Sequence, residues 1–316
     1  MLRLIAIRLV VIPLVLLAVS VGVFFLVQVV PGQPGRVVLG PYATQQQVAL
    51  WQHRQGLDGS VVARYLRWIG GFARGRWGTS LSLGVPVRPL VLGRLGNSIL
   101  LGLFALLVTT PVAIGIGLWQ AHRLGRRSDR VLTLVGVTLS SIPEFVSGVI
   151  LLILFAVELH WFPVDSQLAW SGLDRVRGML LPAVAVAVAS FGHTSRMMRS
   201  TTTEVLGSAH YRTAVLNGVP PGRLLRRHVL RNALIPTTAV LGNQAAFMLG
   251  GLVIVEILFN YPGLGQLLVD SVVNKDIFVL EACTLVAALV SMLVILTADV
   301  AYRLLDPRVR SSPDGR

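Results

Sequence analysis

The chain has 316 residues, 54% of them hydrophobic and only 13% charged, with a mean hydropathy of +0.72. Soluble domains carry about 25% charged residues, so this composition excludes a water-soluble globular protein and points to a membrane protein. The net charge of +14 does not make a nucleic-acid binder, because that role needs its basic residues on a soluble surface and most of this chain cannot stay in water.

A bilayer core about 30 Å thick takes about 20 apolar residues at a rise of about 1.5 Å each. Six such runs occur in order: 9–30, 99–119, 131–157, 180–198, 234–259 and 282–302. The first, "LVVIPLVLLAVSVGVFFLVQVV", is longer than the apolar core of about 7 to 15 residues in a signal peptide, and it reads as a retained span. The segment 31–96 follows. Thr44 and Gln47 form a capping box ahead of "QVALWQHR", and "VVARYLRWIGGFARG" has helical periodicity, so a small helical domain is expected there.

Basic short connections stay on the cytoplasmic side. Residues 120–130 carry Arg123, Arg126, Arg127 and Arg130 against Asp129, and 199–233 carry Arg199, Arg212, Arg223, Arg226, Arg227 and Arg231 against Glu204. Both are expected inside, as are both termini. The connections 158–179 and 260–281 are balanced or acidic and are expected outside. The external segment 31–96 opposes this trend with eight arginines and Asp58 as its one acid, but the rule weakens for loops beyond about 60 residues.

The third span contains "SSIPEFVSG". Pro143 removes a backbone donor, and Ser140, Ser141 and Ser147 can satisfy the freed groups, so a kink and a polar lining are expected here. Glu144 is costly inside a membrane, about 3 kcal/mol on insertion scales, which makes it and Ser141 candidates for a pathway or selectivity role. A structural carboxylate bonded to a neighbouring span is the competing reading. His193 and Arg196 are explained by snorkelling at the end of the fourth span, and Asp299 with Arg303 by a helical ion pair. Gly250 and Gly251 are expected to permit close helix packing. Cys283 is a buried small apolar residue, and a single cysteine excludes an intrachain disulfide.

Between the fourth and fifth spans lies "YRTAVLNGVPPGRLLRRHVLRNALIP". A helix from about Glu204 is expected to end at Gly218, and Pro220 and Pro221 forbid its continuation. "RLLRRHVLRNAL" then restarts as an amphipathic surface helix. On the residues alone this is either a loop that only fixes topology or a short cytoplasmic helix-turn-helix. A DNA-reading version is excluded by the spans that hold both ends. No GxxxxGK[ST] occurs and Lys275, the only lysine, sits in an external connection, so this chain has no phosphate-binding loop for ATP. No catalytic triad is implied by His193 near Ser190 and Ser195, since nothing places an orienting acid.

That stretch resembles the cytoplasmic signature of the permease subunits of bacterial ABC importers, in the branch for oligopeptides, dipeptides and nickel. "PGQPG" at 31–35, "GLDGSVVARYLRWIGGFARGRWGTSL" at 56–81, "SIPEF" at 141–145, "VEILFNYPGLGQLL" at 255–268 and "LDPRVR" at 305–310 resemble it in the same order, over essentially the whole chain. The resemblance implies an all-α integral membrane protein of the bacterial cytoplasmic membrane with six transmembrane helices. It divides into 1–30, the cytoplasmic end and first span; 31–96, the external helical segment; 97–305, a five-helix core with the coupling region 204–236; and 306–316, a cytoplasmic tail. It further implies a coupling helix carrying Tyr211, Arg212, Thr213, Ala214 and Gly218 that docks on an ATPase, with arginine where the general importer motif has glutamate. Glu256 falls in a motif expected to act as a gate or docking surface. The implied partners are a second permease, two ABC ATPases holding ATP and magnesium, an extracytoplasmic substrate-binding protein and the lipid bilayer. The chain itself is expected to hold no cofactor or metal and to be no enzyme. Small peptides are the expected cargo, with nickel the alternative. A secondary transporter or channel, which would usually show internal repeats or coupling-ion sites, and a plain membrane scaffold are the rival classes.

Overall fold

The computed structural model describes residues 2–29, 39–40, 42–54, 60–167 and 172–305. "PGQPG", residues 55–59, most of "LDPRVR" and the tail 306–316 lie outside the described residues, as does the side chain of Arg303. Among the described residues the chain is built of helices, with no strand beyond an isolated bridge between Thr79 and Pro86.

In order these are α1 (Leu2–Val29), α2 (Gln45–Arg54), α3 (Val61–Ala73), α4 (Val87–His122), α5 (Arg127–Ser141) and α6 (Glu144–Leu151), which runs on as a π-helix over Leu152–Glu158. After them come α7 (Gly172–Gly207), α8 (Ala209–Leu216), the single turn α9 (Pro221–Arg223), a π-helical stretch Leu224–Leu230, α10 (Arg231–Leu258), α11 (Leu264–Val273) and α12 (Ile277–Leu305). Four of these helices contain stretches long and apolar enough to cross a membrane: Ile7–Val27, Val87–His122, Asp174–Gly207 and Ile277–Ala301. Two bent pairs, Arg127–Ser141 with Glu144–Glu158 and Pro221–Ala245 with Gly250–Leu258, raise the number to six when each counts as one span. Leu26, Leu107 and Leu134 are exposed on these helices, as suits side chains that meet lipid or another apolar surface.

The chain divides into two compact units. The unit formed by residues 2–98 and 262–292 packs Val87 and Val91 against Leu264, Leu267, Val279, Ala282 and Cys283. Here α3 lies along α1: the Tyr65 and Ser20 hydroxyls are 2.8 Å apart, and Phe24 meets the Tyr65 ring edge-on at 5.4 Å. The capping box at the start of α2 forms as expected, with Thr44 N–H donating to Gln47 Oε1 at 2.9 Å and Gln47 N–H to Thr44 Oγ1 at 3.3 Å. Asp276 ties the turn before α4 to the start of α12, accepting from the Ser80 hydroxyl at 2.5 Å and from the Ser82 hydroxyl at 2.8 Å. Glu281, buried in the same helix, accepts from the Trp68 side chain, with the Arg64 charge nearby. A carboxylate inside a span is thus matched by residues of α3.

The second unit, residues 99–261 with 293–316, gathers Leu101, Ala105, Met179, Val186, Met248, Leu252 and Phe259 into its core. α5 and α7 cross where Gly136 meets Gly192; a Cβ built on Gly192 would stand 2.0 Å from the Gly136 carbonyl oxygen, so the two backbones touch directly.

Four expectations are corrected. The second long helix begins at Val87, not near Ile99, so residues 87–96 are its first turns. Arg88 and Arg94 interrupt the apolar run there without interrupting the helical hydrogen bonding. α7 likewise begins at Gly172, ahead of Leu180. The helix expected from Glu204 is divided: residues 204–207 end α7, and α8 starts afresh after Ser208. The amphipathic segment after Pro221 is no separate surface helix, because Leu224–Leu230 passes straight into α10.

Candidate pathway and coupling site

The third apolar run is bent by 103° between α5 and α6. Ile142 and Pro143 are extended there, and the Pro143 ring occupies the capping position of α6. Ser141 and Ser147 bond backbone carbonyls, the first donating to Val137 at 2.9 Å and the second to Glu144 at 2.9 Å, but neither reaches the Leu139 carbonyl that Pro143 leaves free, which accepts from Ile142 N–H at 3.3 Å. The buried Ser140 hydroxyl has no partner, being held against the Gly192 backbone.

Glu144 opens α6 and is half-buried. Its carboxylate lies against α10, where a Cβ built on Gly251 would come within 3.1 Å of Oε1. Among the described residues no hydrogen bond or ion pair reaches that carboxylate. Gly251 therefore gives room to Glu144, while Gly250 has open space around it and is not the close-packing residue expected. Ser141 and Asn243 are exposed polar residues on the same two apolar runs.

The α8 helix is closed at both ends. At its start the Ser208 hydroxyl accepts from Tyr211 N–H at 3.2 Å. At its end Gly218, with φ +70°, lets Gly218 N–H reach the Val215 carbonyl at 3.0 Å and Val219 N–H reach the Ala214 carbonyl at 3.2 Å. These are the paired bonds of a Schellman ending, which needs a left-handed residue where glycine stands. Ala214 is buried within the chain; the residues turned outward are Arg212, Thr213, Val215 and above all Leu216, 86% exposed. Ala214 thus stands behind the outward residues, facing its own chain.

Two groupings near α8 were not foreseen. Arg199 and the buried Asp129 form a bidentate pair, at 2.6 and 2.8 Å. His228 Nδ1 stands 3.0 Å from His210 Nε2, linking α8 to the π-helical stretch before α10. Neither is local in sequence: Asp129 and Arg199 are 70 residues apart and His210 and His228 are 18 apart, so only packing brings them together.

His193 and Arg196 are exposed and adjacent, with Arg196 Nη2 3.4 Å from His193 Nδ1. Glu256 is 1% exposed. It lies below the 259–261 turn, where Tyr261 N–H donates to the Glu256 carbonyl at 2.8 Å and Asn260 Nδ2 donates to Asp165 at 2.8 Å. Burial pushes the Tyr261 phenol up to about 12, with Arg175 opposing and Glu256 adding to the rise. The docking surface expected of Glu256 is corrected accordingly: the residue is buried within the chain. Among the described residues no group of three or more His, Cys, Asp or Glu could hold a metal ion.

Residues 113–311 match the family described as the inner membrane component of binding-protein-dependent transport systems. The chain belongs to that family. Residues 1–86 of this permease match the N-terminal segment described for such membrane components. It is 33% identical over 298 residues to a probable peptide ABC transporter permease protein of Sinorhizobium fredii, covering 94% of this chain and 95% of that protein. It is 32% identical over 300 residues to an oligopeptide transport system permease protein of Bacillus subtilis, covering 93% and 95%. A glutathione transport system permease protein of Salmonella paratyphi A is 35% identical over 295 residues, covering 93% and 94%. The permease is thus a multi-pass, all-helical protein of the inner membrane.

Proposed function

We propose that this chain is a permease subunit of an ATP-driven ABC importer for small peptides, paired with a second permease to enclose one pathway. The single observation that carries this is similarity along more than nine-tenths of the chain to permeases named for peptides, oligopeptides and glutathione. Nickel import has no such support from these relatives, and the absence of a three-ligand group among the described residues gives it none either.

Two ATPases supply the energy, with ATP and magnesium bound to them, and a binding protein on the opposite face delivers the cargo. Both termini and α8 lie on the cytoplasmic side. The α8 helix is the coupling element: Tyr211 and Gly218 belong to its two caps, Arg212 and Thr213 belong to its outward face, and Ala214 packs it onto the chain. Closure of the ATPases on ATP moves this helix and biases the pathway between inward-facing and outward-facing states, because the closed ATPases bind one state better than the other. Ser141 belongs to the pathway lining at the bend of the third span.

The experiment compares a deletion strain with its parent for uptake of labelled dipeptides, tripeptides, glutathione and nickel, with and without an ATPase-inactive partner. ATP-dependent uptake of a peptide, lost on deletion and restored by the chain, is the expected result. Uptake that persists without the ATPase, or nickel as the only cargo lost, overturns the reading.

A further inference from the structure

We propose that the Glu144 carboxylate, set over the bare backbone of Gly251 at the bend of the third span, recognises the protonated amino group of the solute as it passes. This rests on the reading of the chain as a peptide importer. A carboxylate inside an apolar span is retained against a large desolvation cost, and such residues pair with one another, with backbone or with what moves through the membrane. Among the described residues Glu144 has neither an ion-pair partner nor a hydrogen-bond partner, and it is only half-buried. The bend exposes it: Pro143 turns the chain at the first residue of α6, and Gly251 leaves clear the space that a Cβ 3.1 Å from Oε1 would fill.

The chemistry of the group selects its ligand class. Among the described residues this carboxylate belongs to no group of three or more His, Cys, Asp or Glu, too few ligands for a divalent metal, which takes four or more. It suits a single ammonium, whose N–H groups donate to carboxylate oxygens in short charge-assisted hydrogen bonds. Every unmodified peptide carries such an ammonium at its amino terminus.

The test uses cells producing the whole importer, this chain with its own partner subunits. The probes are a panel of labelled di- and tripeptides and their N-acetylated forms, with membrane levels of the chain measured by immunoblot. Glu144→Gln keeps the shape and hydrogen-bonding capacity but removes the charge, and it is expected to lower uptake of free-amine peptides about tenfold, the order of one charge-assisted bond. Glu144→Asp keeps the charge and is expected to lose less than about threefold, and uptake of the acetylated forms is expected to change less than about twofold in either variant. Delivery by the binding protein cancels, because each variant is compared with the parent on the same probe. Unchanged uptake in Glu144→Gln, or a loss of the same size for free and acetylated peptides, overturns the inference while leaving the peptide importer standing. Failure of the parent to carry any member of the panel removes the peptide reading and this inference with it. If Glu144→Gln does not reach the membrane, Gly251→Ala, whose methyl displaces the carboxylate, decides in its place: a selective loss on free-amine peptides supports recognition, and an equal or absent loss overturns it.

Discussion

Arg199 holds Asp129 with both arms of its guanidinium, Nε at 2.6 Å from Oδ1 and Nη2 at 2.8 Å from Oδ2, and the Gly125 N–H adds a third bond at 2.9 Å. The carboxylate is almost wholly buried, and the arginine lies about two turns before the end of the helix that leads to α8. Removing one member leaves the other charge without its partner, which costs about 3 kcal/mol in such pairs, whereas removing both is far milder. Asp129→Ala is therefore expected to lower the melting temperature of the purified importer in detergent by several degrees, and Asp129→Ala with Arg199→Met to recover at least half of that loss. Identical melting of the single variant and the parent would show that the pair contributes nothing.

The outward face of α8 can be separated from its inward face. Leu216 is nearly free of its own chain, so Leu216→Asp is expected to leave thermal stability within about 0.5 kcal/mol of the parent, as surface substitutions do, while abolishing copurification of the ATPases. Ala214→Leu acts in the opposite order: it overpacks a buried position, costs about 1 to 3 kcal/mol, and reduces coupling only through damage to the fold. Pull-down of the ATPases alongside melting curves distinguishes the two; retained ATPase binding in Leu216→Asp refutes the assignment of that face.

Gly218 has open space for a side chain but a backbone that an L-residue adopts at a cost of about 1 to 2 kcal/mol. Gly218→Val is expected to weaken transport by altering the end of α8, and Gly218→Asn, which tolerates this conformation, to keep most of it. Transport rates at matched membrane levels provide the check, and equal rates for the two variants would exclude a conformational role.

The crossing of α5 and α7 predicts a sharp asymmetry among glycines. In Gly192→Ala the new methyl meets the Gly136 backbone, which no rotamer can relieve, so a large loss of folded protein in detergent extracts is expected. Gly250→Ala meets nothing and is expected to be neutral or slightly stabilising, since helical alanine is favoured over glycine by about 1 kcal/mol. Size-exclusion profiles of tagged variants measure both.

Hydropathy revealed each long helix because a membrane demands about 20 apolar residues whatever the packing. The capping box at Thr44, the turn at Gly218 and the interruption at Pro143 were legible for a similar reason, each resting on residues within a few positions of one another. The start of α4 at Val87 was not, because Arg88 and Arg94 depress an averaged hydropathy without breaking a helix. Nor could the sequence show Asp129 meeting Arg199 or Arg64 standing by Glu281, pairs distant along the chain that only packing unites. Within the candidate site, Glu144 stood out as a charge in the wrong solvent, but its placement over Gly251 needed the second helix. The inward orientation of Ala214 was likewise hidden, since eight residues with little amphipathic contrast do not declare which side faces in.

The two caps of α8 also fix its rotational phase. A residue inserted between Ser208 and Gly218 would turn everything beyond it by about 100° around the helix axis, carrying Leu216 off the outward side and another residue into its place. Side chains on this helix can be exchanged singly, but its length is set by geometry: changing the count by one redirects the whole contact face even where every residue is kept.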